Sequence, residues 1–231
     1  MPINIPVITI DGPSGSGKGT ISSMLAKELK WHFLDSGAIY RVLAHAAIVA
    51  NIKLDDELSL VKLAITLPIK FSDDPVTGNM DIYLNNLPIT NAIRAESCGN
   101  SASQIASLTS VRQAVLQRQR DFRQLPGLVA DGRDMGTVIF PDAKLKFFLD
   151  ASIQARAKRR YLQLKQLGYD ANILSLEEEI SLRDLRDKNR VVSPLLPALD
   201  AIQIDTTDLG IDSVYNQVME SVQSCFFGAG C

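Results

Sequence analysis

Apolar and polar positions recur with two different periods along this chain, and the switch between them outlines a fold. Pro6-Val7-Ile8-Thr9-Ile10 is a short, almost continuous apolar run ending in Asp11, the pattern of a strand buried on both faces. Ile21, Met24, Leu25 and Leu29 then recur at helical spacing, and Trp31-His32-Phe33-Leu34 returns to a strand that ends in Asp35-Ser36-Gly37. That is one βαβ unit, followed by a second helix predicted over Ala38 to Ala50. From about Leu60 to Asn91 the character changes. Ile69-Lys70-Phe71-Ser72, the turn Asp73-Asp74-Pro75-Val76-Thr77-Gly78-Asn79 and Met80-Asp81-Ile82-Tyr83-Leu84 predict a β-hairpin in an inserted subdomain. Helical spacing resumes from Glu96 to Phe122 and stops at Pro126-Gly127. Leu128-Val129-Ala130-Asp131 and Leu145-Lys146-Phe147-Phe148-Leu149-Asp150 predict two more strands, the second leading into a basic helix. Ala201-Ile202-Gln203-Ile204-Asp205 predicts the strand before the last helix.

Strands alternating with helices predict an α/β chain with a parallel sheet covered on both faces, and no linker is long enough to separate independent domains. A chain of 231 residues can bury one sizeable core. Its net charge of −2 provides no bulk attraction for DNA or an anionic membrane, which disfavours nucleic acid as the main partner. Cys98, Cys225 and Cys231 are odd in number and lack metal-ligand spacing, and only two histidines are present. Neither a disulfide framework nor a zinc site is supported. No run approaches 18 apolar residues, so a soluble, cytoplasmic protein without a membrane partner is expected.

The segment Gly12-Pro13-Ser14-Gly15-Ser16-Gly17-Lys18-Gly19-Thr20, directly after the first strand, carries the most specific chemistry. Glycines let consecutive backbone N–H groups face phosphate oxygens, Lys18 can reach the β and γ phosphates, and Thr20 opens a helix whose dipole favours the same anion. The pattern departs from GxxxxGK[ST] at Gly19, where a hydroxyl is usual, so the hydroxyl's role as a Mg²⁺ ligand is left open between Thr20 and other groups. The bland alternative is a glycine-rich turn after a strand. Polar residues also crowd the carboxyl ends of the other predicted strands, at Asp35-Ser36, Asp131 through Asp134 and Asp205-Thr206-Thr207, where ligands of such sheets collect.

Two arginine clusters extend this picture. Arg183, Arg186 and Arg190 fall at i, i+3 and i+7 of a predicted helix, with Asp187 on the same face. They are either a phosphate-binding face or a solvated one partly neutralised by Asp184 and Asp187. Arg156, Arg159 and Arg160, with Lys158 between, lie on the helix after Asp150 and are either ligand-facing or part of a snorkelling surface helix. Two such helices bracketing Gly168-Tyr169-Asp170, in a chain that binds polyphosphate, suit a closing lid whose guanidinium forks neutralise a transferring phosphoryl group.

Together, Gly12 to Thr20, Leu34-Asp35-Ser36-Gly37-Ala38-Ile39-Tyr40-Arg41, Ala130-Asp131-Gly132-Arg133-Asp134-Met135-Gly136-Thr137 and Arg183-Asp184-Leu185-Arg186-Asp187-Lys188-Asn189-Arg190 resemble the bacterial cytidylate kinase family, over essentially the whole chain. The first motif is shared among nucleoside monophosphate kinases; the other three together are specific to this type. The resemblance implies a P-loop NTPase-type parallel sheet flanked by helices, a monophosphate-binding insertion with a β-hairpin, and a helical arginine-rich lid. It divides a single kinase domain, 1–231, into a core of about 1–59, 109–153 and 191–231, an insertion of about 60–108 and a lid of about 154–190. It implies phosphoryl transfer from Mg·ATP to CMP or dCMP by a monomer. Lys18, Arg133, Arg183 and Arg190 would be catalytic. ATP would lie on residues 12–20 with Arg156, Arg159, Arg160 and Arg186, its adenine near Asp205-Thr206-Thr207. Ser36, Arg41, Arg133 and Arg190 would hold the CMP phosphate, and Arg183 with Asp187 its sugar. Ser103, Arg112 and Asp134 would flank the base, where a carboxylate suits the cytosine N4 donor. For Asp134 a helix N-cap or a pair with Arg133 is the alternative, for Ser36 another N-cap, and for Arg112 a pair with Asp121 or other local acids. No residue is assigned as a direct Mg²⁺ ligand; Thr20, or Asp35 and Asp131 through water, are options. A kinase of UMP or AMP preference and a noncatalytic P-loop protein are the rival functions.

Overall fold

The structure is a computed structural model that describes residues 5–73, 80–166 and 168–228. In chain order, β1 (Val7–Asp11), α1 (Lys18–Leu29) and β2 (His32–Asp35) form the expected βαβ unit. α2 (Ser36–Val49), α3 (Glu57–Thr66), β3 (Ile69–Asp73), β4 (Met80–Leu84), β5 (Leu87–Pro88), α4 (Thr90–Ile93), α5 (Glu96–Ile105) and α6 (Thr109–Arg120) follow. β6 (Leu128–Gly132), a π-helical turn at Met135–Ile139, β7 (Leu145–Asp150), α7 (Ile153–Gln166), α8 (Ile173–Lys188), β8 (Ile202–Asp205) and α9 (Ile211–Val222) complete the order, with a second π turn at Gln223–Phe227. The hairpin predicted around residue 75 is present as antiparallel β3 and β4, with Phe71 opposite Ile82; its turn at 74–79 lies outside the described residues. Cys98 is buried and Cys225 half-buried, and Cys231 lies outside the described residues. No helix among the described residues is long and apolar enough to cross a membrane.

The chain divides into two compact units, one of residues 1–35 and 119–231, the other of residues 36–118. The larger contains a parallel five-stranded sheet of order β2-β6-β1-β7-β8. Its register places Asp11 beside Gly132 and Asp35 beside Asp131, so acidic residues line the carboxyl ends of adjacent strands. β1 and β6 are buried at every position, which is why they read as runs rather than as alternations. One face of the sheet packs Ile8, Ile10, Val129, Phe147 and Leu149 against Ile21 and Leu25 of α1 and Val214, Val218 and Val222 of α9. A small separate cluster of Ala157, Leu176 and Ile180 joins α7 to α8.

The smaller unit is wider than the insertion expected at 60–108, because it also takes in α2, the start of α3 and α6 as far as Arg118. α2 is apolar nearly all round: Ala38, Ile39, Tyr40, Val42, Leu43, Ala44, Ala46 and Ala47 are buried. Such a helix forms the centre of a unit rather than a flank. The helical spacing over 96–122 is two helices, α5 and α6. α5 ends at Ile105, where the Ser107 hydroxyl donates to the Gln104 carbonyl at 2.6 Å. Such local side-chain bonds compete with helix continuation.

Candidate phosphate-transfer site

The cradle is built where β1 ends. Gly12 has φ +150°, and a Cβ on it would stand 2.0 Å from the Leu149 carbonyl oxygen of β7, so no side chain fits there. The Ser16 hydroxyl donates to Pro13 O at 3.0 Å and Lys18 Nζ to the same oxygen at 3.1 Å, which folds the loop over itself. Lys18 is 8% exposed, with Nζ 3.9 Å from Asp131 Oδ1. Burial and the charges of Arg133 and Arg183 push its ammonium down to about 8, against the pull of Asp131 and Asp35. Burial likewise pushes the Asp131 carboxyl up to about 7, against Lys18. Both partners are thus driven toward neutrality by lack of solvation, and an added anion would restore charge to Lys18. Gly19, the departure from the usual motif, has a local cause: a Cβ there would lie 3.1 Å from Asp131 Oδ2. Thr20 is exposed at the start of α1.

The loop after β6 carries the next charges. Arg133 Nε donates to Asp187 Oδ2 at 2.9 Å, and Arg190 donates to the other Asp187 oxygen. Burial alone would raise the Asp187 carboxyl, but Arg133, Arg190 and Arg183 override it and hold the group well below the usual carboxylate range. The same pairing raises the Arg133 guanidinium against the opposing effect of burial. Arg183 Nη1 donates to Ser14 Oγ at 3.3 Å, tying α8 to the cradle. Arg190 lies two residues beyond the end of α8, so the shared helical face expected for Arg183, Arg186 and Arg190 is not continuous. Asp184 and Asp187 are buried, which removes the alternative of a solvated face that they partly neutralise. Asp134 is 3% exposed, and its side chain does not cap the π turn that it precedes, which removes the N-cap alternative.

Arg156 differs from its expected place among ligand-facing arginines. It is 2% exposed, with Nε donating to Ala151 O at 2.9 Å, Nη1 to Ser14 O and Asp184 Oδ1, both at 3.1 Å, and Nη2 to Asp184 Oδ2. Its fork grips the back of the cradle. Neither its burial nor the role of Asp184 is visible in the spacing of charges. Arg159 donates to Gly15 O at 3.3 Å, to Thr206 Oγ1 at 3.1 Å and to the Thr206 carbonyl, joining the cradle to the loop after β8. Thr206 in turn places Oγ1 3.0 Å from Ser16 O. Arg160 donates to Gln163 on its own helix, and Arg186 is half-buried on α8.

The remaining expected residues belong to the smaller unit. Ser36 is the first residue of α2 and is buried. Arg41 donates to Ile93 O at 2.8 Å and to Ala95 O at 3.4 Å, with its own carbonyl accepting from Cys98 Sγ. Ser103 is buried on α5. Arg112 is 7% exposed, donates to Ala106 O at 3.1 Å and lies 5.7 Å from the centroid of the Tyr40 ring.

The family model described as Cytidylate kinase matches residues 8–224. A protein named cytidylate kinase from Edwardsiella ictaluri (strain 93-146) is 54% identical over 215 residues, 93% of this chain and 95% of its own. Those of the same name from Stutzerimonas stutzeri (strain A1501), 56% identical over 94% of this chain and 95% of their own length, and from Shewanella denitrificans (strain OS217), 52% identical over 95% and 96%, agree. With nearly all of the sheet, the cradle and both arginine clusters inside the matched region, the chain belongs to the cytidylate kinase family.

Proposed function

We propose that this chain transfers the γ-phosphoryl group of Mg·ATP to CMP or dCMP, giving ADP and CDP or dCDP. One observation supports it most directly: Lys18, Arg133 and Arg183 stand close enough for the two guanidiniums to depress the lysine. Such a cluster of cations around a buried lysine is stabilised when phosphates enter. The attacking atom is a phosphate oxygen of CMP, already anionic at neutral pH, so the reaction needs no protein nucleophile and no general base. The chain's part is alignment, charge neutralisation and exclusion of water. Residues 12–20 cradle the ATP phosphates with Lys18. Arg159 and Thr206 border the adenine, and Arg160 and Arg186 complete the lid face. Arg133, Arg190, Ser36 and Arg41 take the CMP phosphate, Arg183 and Asp187 its sugar, and Asp134, Ser103 and Arg112 its base.

Mg²⁺ fits the donors present. Thr20 offers a hydroxyl, and Asp35 and Asp131 offer carboxylates, of which Asp131 is undercompensated by its surroundings. Magnesium keeps much of its water and would arrive with ATP, so one or two such groups suffice to hold it. When bound it neutralises the β and γ phosphates. Cytoplasmic location and a monomeric state belong to the same proposal.

A coupled ADP-release assay with Mg·ATP and CMP, dCMP, UMP, AMP or GMP as acceptor tests this. Release that depends on CMP or dCMP is expected. Release with another monophosphate overturns the base preference, and release with none of them leaves a noncatalytic nucleotide-binding protein.

A further inference from the structure

Asp11 is the last residue of β1 and the residue immediately before the cradle, yet its side chain points across to the loop after β6. Oδ1 accepts from the Met135 amide at 2.9 Å and Oδ2 from the Gly136 amide at 2.8 Å. These amides open the π-helical turn that follows Asp134, so they are among the donors which a helical start leaves without a partner. The Asp134 side chain, the ordinary candidate for capping them, does not do so. Asp11 caps from another strand, 124 residues away in sequence from Met135.

We propose that Asp11 is a positioning residue for nucleotide recognition: its carboxylate fixes the Arg133-Asp134 loop against the phosphate cradle, and so sets the acceptor base and phosphate contacts relative to ATP. The inference rests on the function proposed above, in that Arg133 and Asp134 are taken to meet the monophosphate. Three features support it. A carboxyl group has two oxygens, so it receives each amide on an oxygen of its own, which an Asn amide of the same shape cannot do. Asp11 is 4% exposed and lies in register beside Gly132, the last residue of the strand that leads into the loop it holds. The turn also packs directly on β1, since a Cβ on Gly136 would come 2.8 Å from Thr9 Oγ1. Loss of the two bonds therefore frees the loop at the end that carries Asp134, while β1 and the cradle retain their sheet partners.

Asp11→Asn isolates the chemistry with almost no change of shape. Its amide nitrogen must face one of the two N–H donors, so one contact becomes donor against donor. The expected result is a rise of about tenfold or more in the CMP dissociation constant, a fall in the CMP over UMP ratio of kcat/KM, and ATP affinity within about twofold of wild type. An unchanged CMP affinity and base ratio would overturn the proposal, as would equal losses for CMP and ATP, which indicate general damage to the cradle. Wild-type protein assayed alongside separates the two levels: absence of any CMP-dependent ADP release there defeats the proposed function rather than the role of Asp11. If Asp11→Asn does not fold, hydrogen exchange of the wild-type protein decides. Met135 and Gly136 amides should be strongly protected although they lie outside the sheet, and exchange as fast as in exposed loops overturns the proposal.

Discussion

Asp187 receives Arg133 on one carboxylate oxygen and Arg190 on the other, so a single buried anion holds together two cations from separate segments of the chain. The side chains of all three are 13% exposed or less, and Asp187 is 2% exposed. Removing one partner from such a buried pair costs about 3–5 kcal/mol, since the other charge is left without compensation. Asp187→Asn is therefore expected to lower the urea midpoint and weaken CMP binding together. The pH dependence has a definite sign. Asp187 titrates lower in the folded chain than in the unfolded one, so it stabilises above the unfolded value of about 4 and that stability is lost as pH falls through the folded value. Midpoints measured from neutral pH down to about 3 should fall more steeply for wild type than for Asp187→Asn; parallel curves would sink this account.

Lys18 makes the opposite kind of prediction. Its ammonium is held down to about 8 by burial and by Arg133 and Arg183 in the free protein, and bound phosphates favour the charged form. ATP affinity should then decline as pH rises through about 8, with proton uptake on binding near that pH. Titration calorimetry in two buffers of different ionisation enthalpy measures the uptake directly. Affinity that does not change between pH 7 and 9 would refute the depressed lysine. Lys18→Ala should lower turnover by about two orders of magnitude or more, because charge stabilisation is the main catalytic contribution.

The parts legible in the sequence were those written over short stretches. The run before Gly12, the glycines and Lys18 form one continuous segment, and strand, loop and helix follow from it without reference to the rest of the chain. Strand ends at Asp35, Asp131 and Asp205 were legible for the same reason. The residues that hold the site together are joined over long separations: Asp11 with Met135 and Gly136, and Arg156 with Asp184, 28 residues on. Charge spacing alone presents Arg156 and Asp184 as surface residues, since their burial depends on how Ala157, Leu176 and Ile180 pack α7 on α8. Arginine spacing overstates the reach of α8, because it continues in register to Arg190 after the helix has ended at Lys188.

Asp134 offers a test of base choice. Cytosine presents an amino donor where uracil presents a carbonyl acceptor, and a carboxylate can only accept. Asp134→Asn supplies an amide that can satisfy either base. CMP affinity should fall by roughly ten- to a hundredfold, the loss expected for a hydrogen bond to a charged group, while UMP becomes a better acceptor and ATP binding stays within about twofold. An unchanged ratio of kcat/KM for CMP and UMP would remove Asp134 from base recognition.

Arg156 and Asp184 allow stability to be separated from loop positioning. Arg156 grips Asp184 with two nitrogens while also donating to the Ser14 and Ala151 carbonyls. Arg156→Lys keeps the charge but loses the planar fork, and should not behave as a conservative change. Arg156→Met or Asp184→Leu alone leaves one buried charge unpaired and should cost about 3–5 kcal/mol. The double variant places two apolar side chains together, and recovery of much of the lost stability is expected, with a coupling of roughly 1–3 kcal/mol in the mutant cycle. ATP affinity should remain weak in the double variant, because nothing then clamps the Ser14 carbonyl of the cradle. Urea midpoints and ATP dissociation constants for the four proteins measure the two effects independently. If ATP affinity returns together with stability, Arg156 serves the cradle only by keeping α7 and α8 folded; if it stays low, the fork acts on the phosphate loop itself.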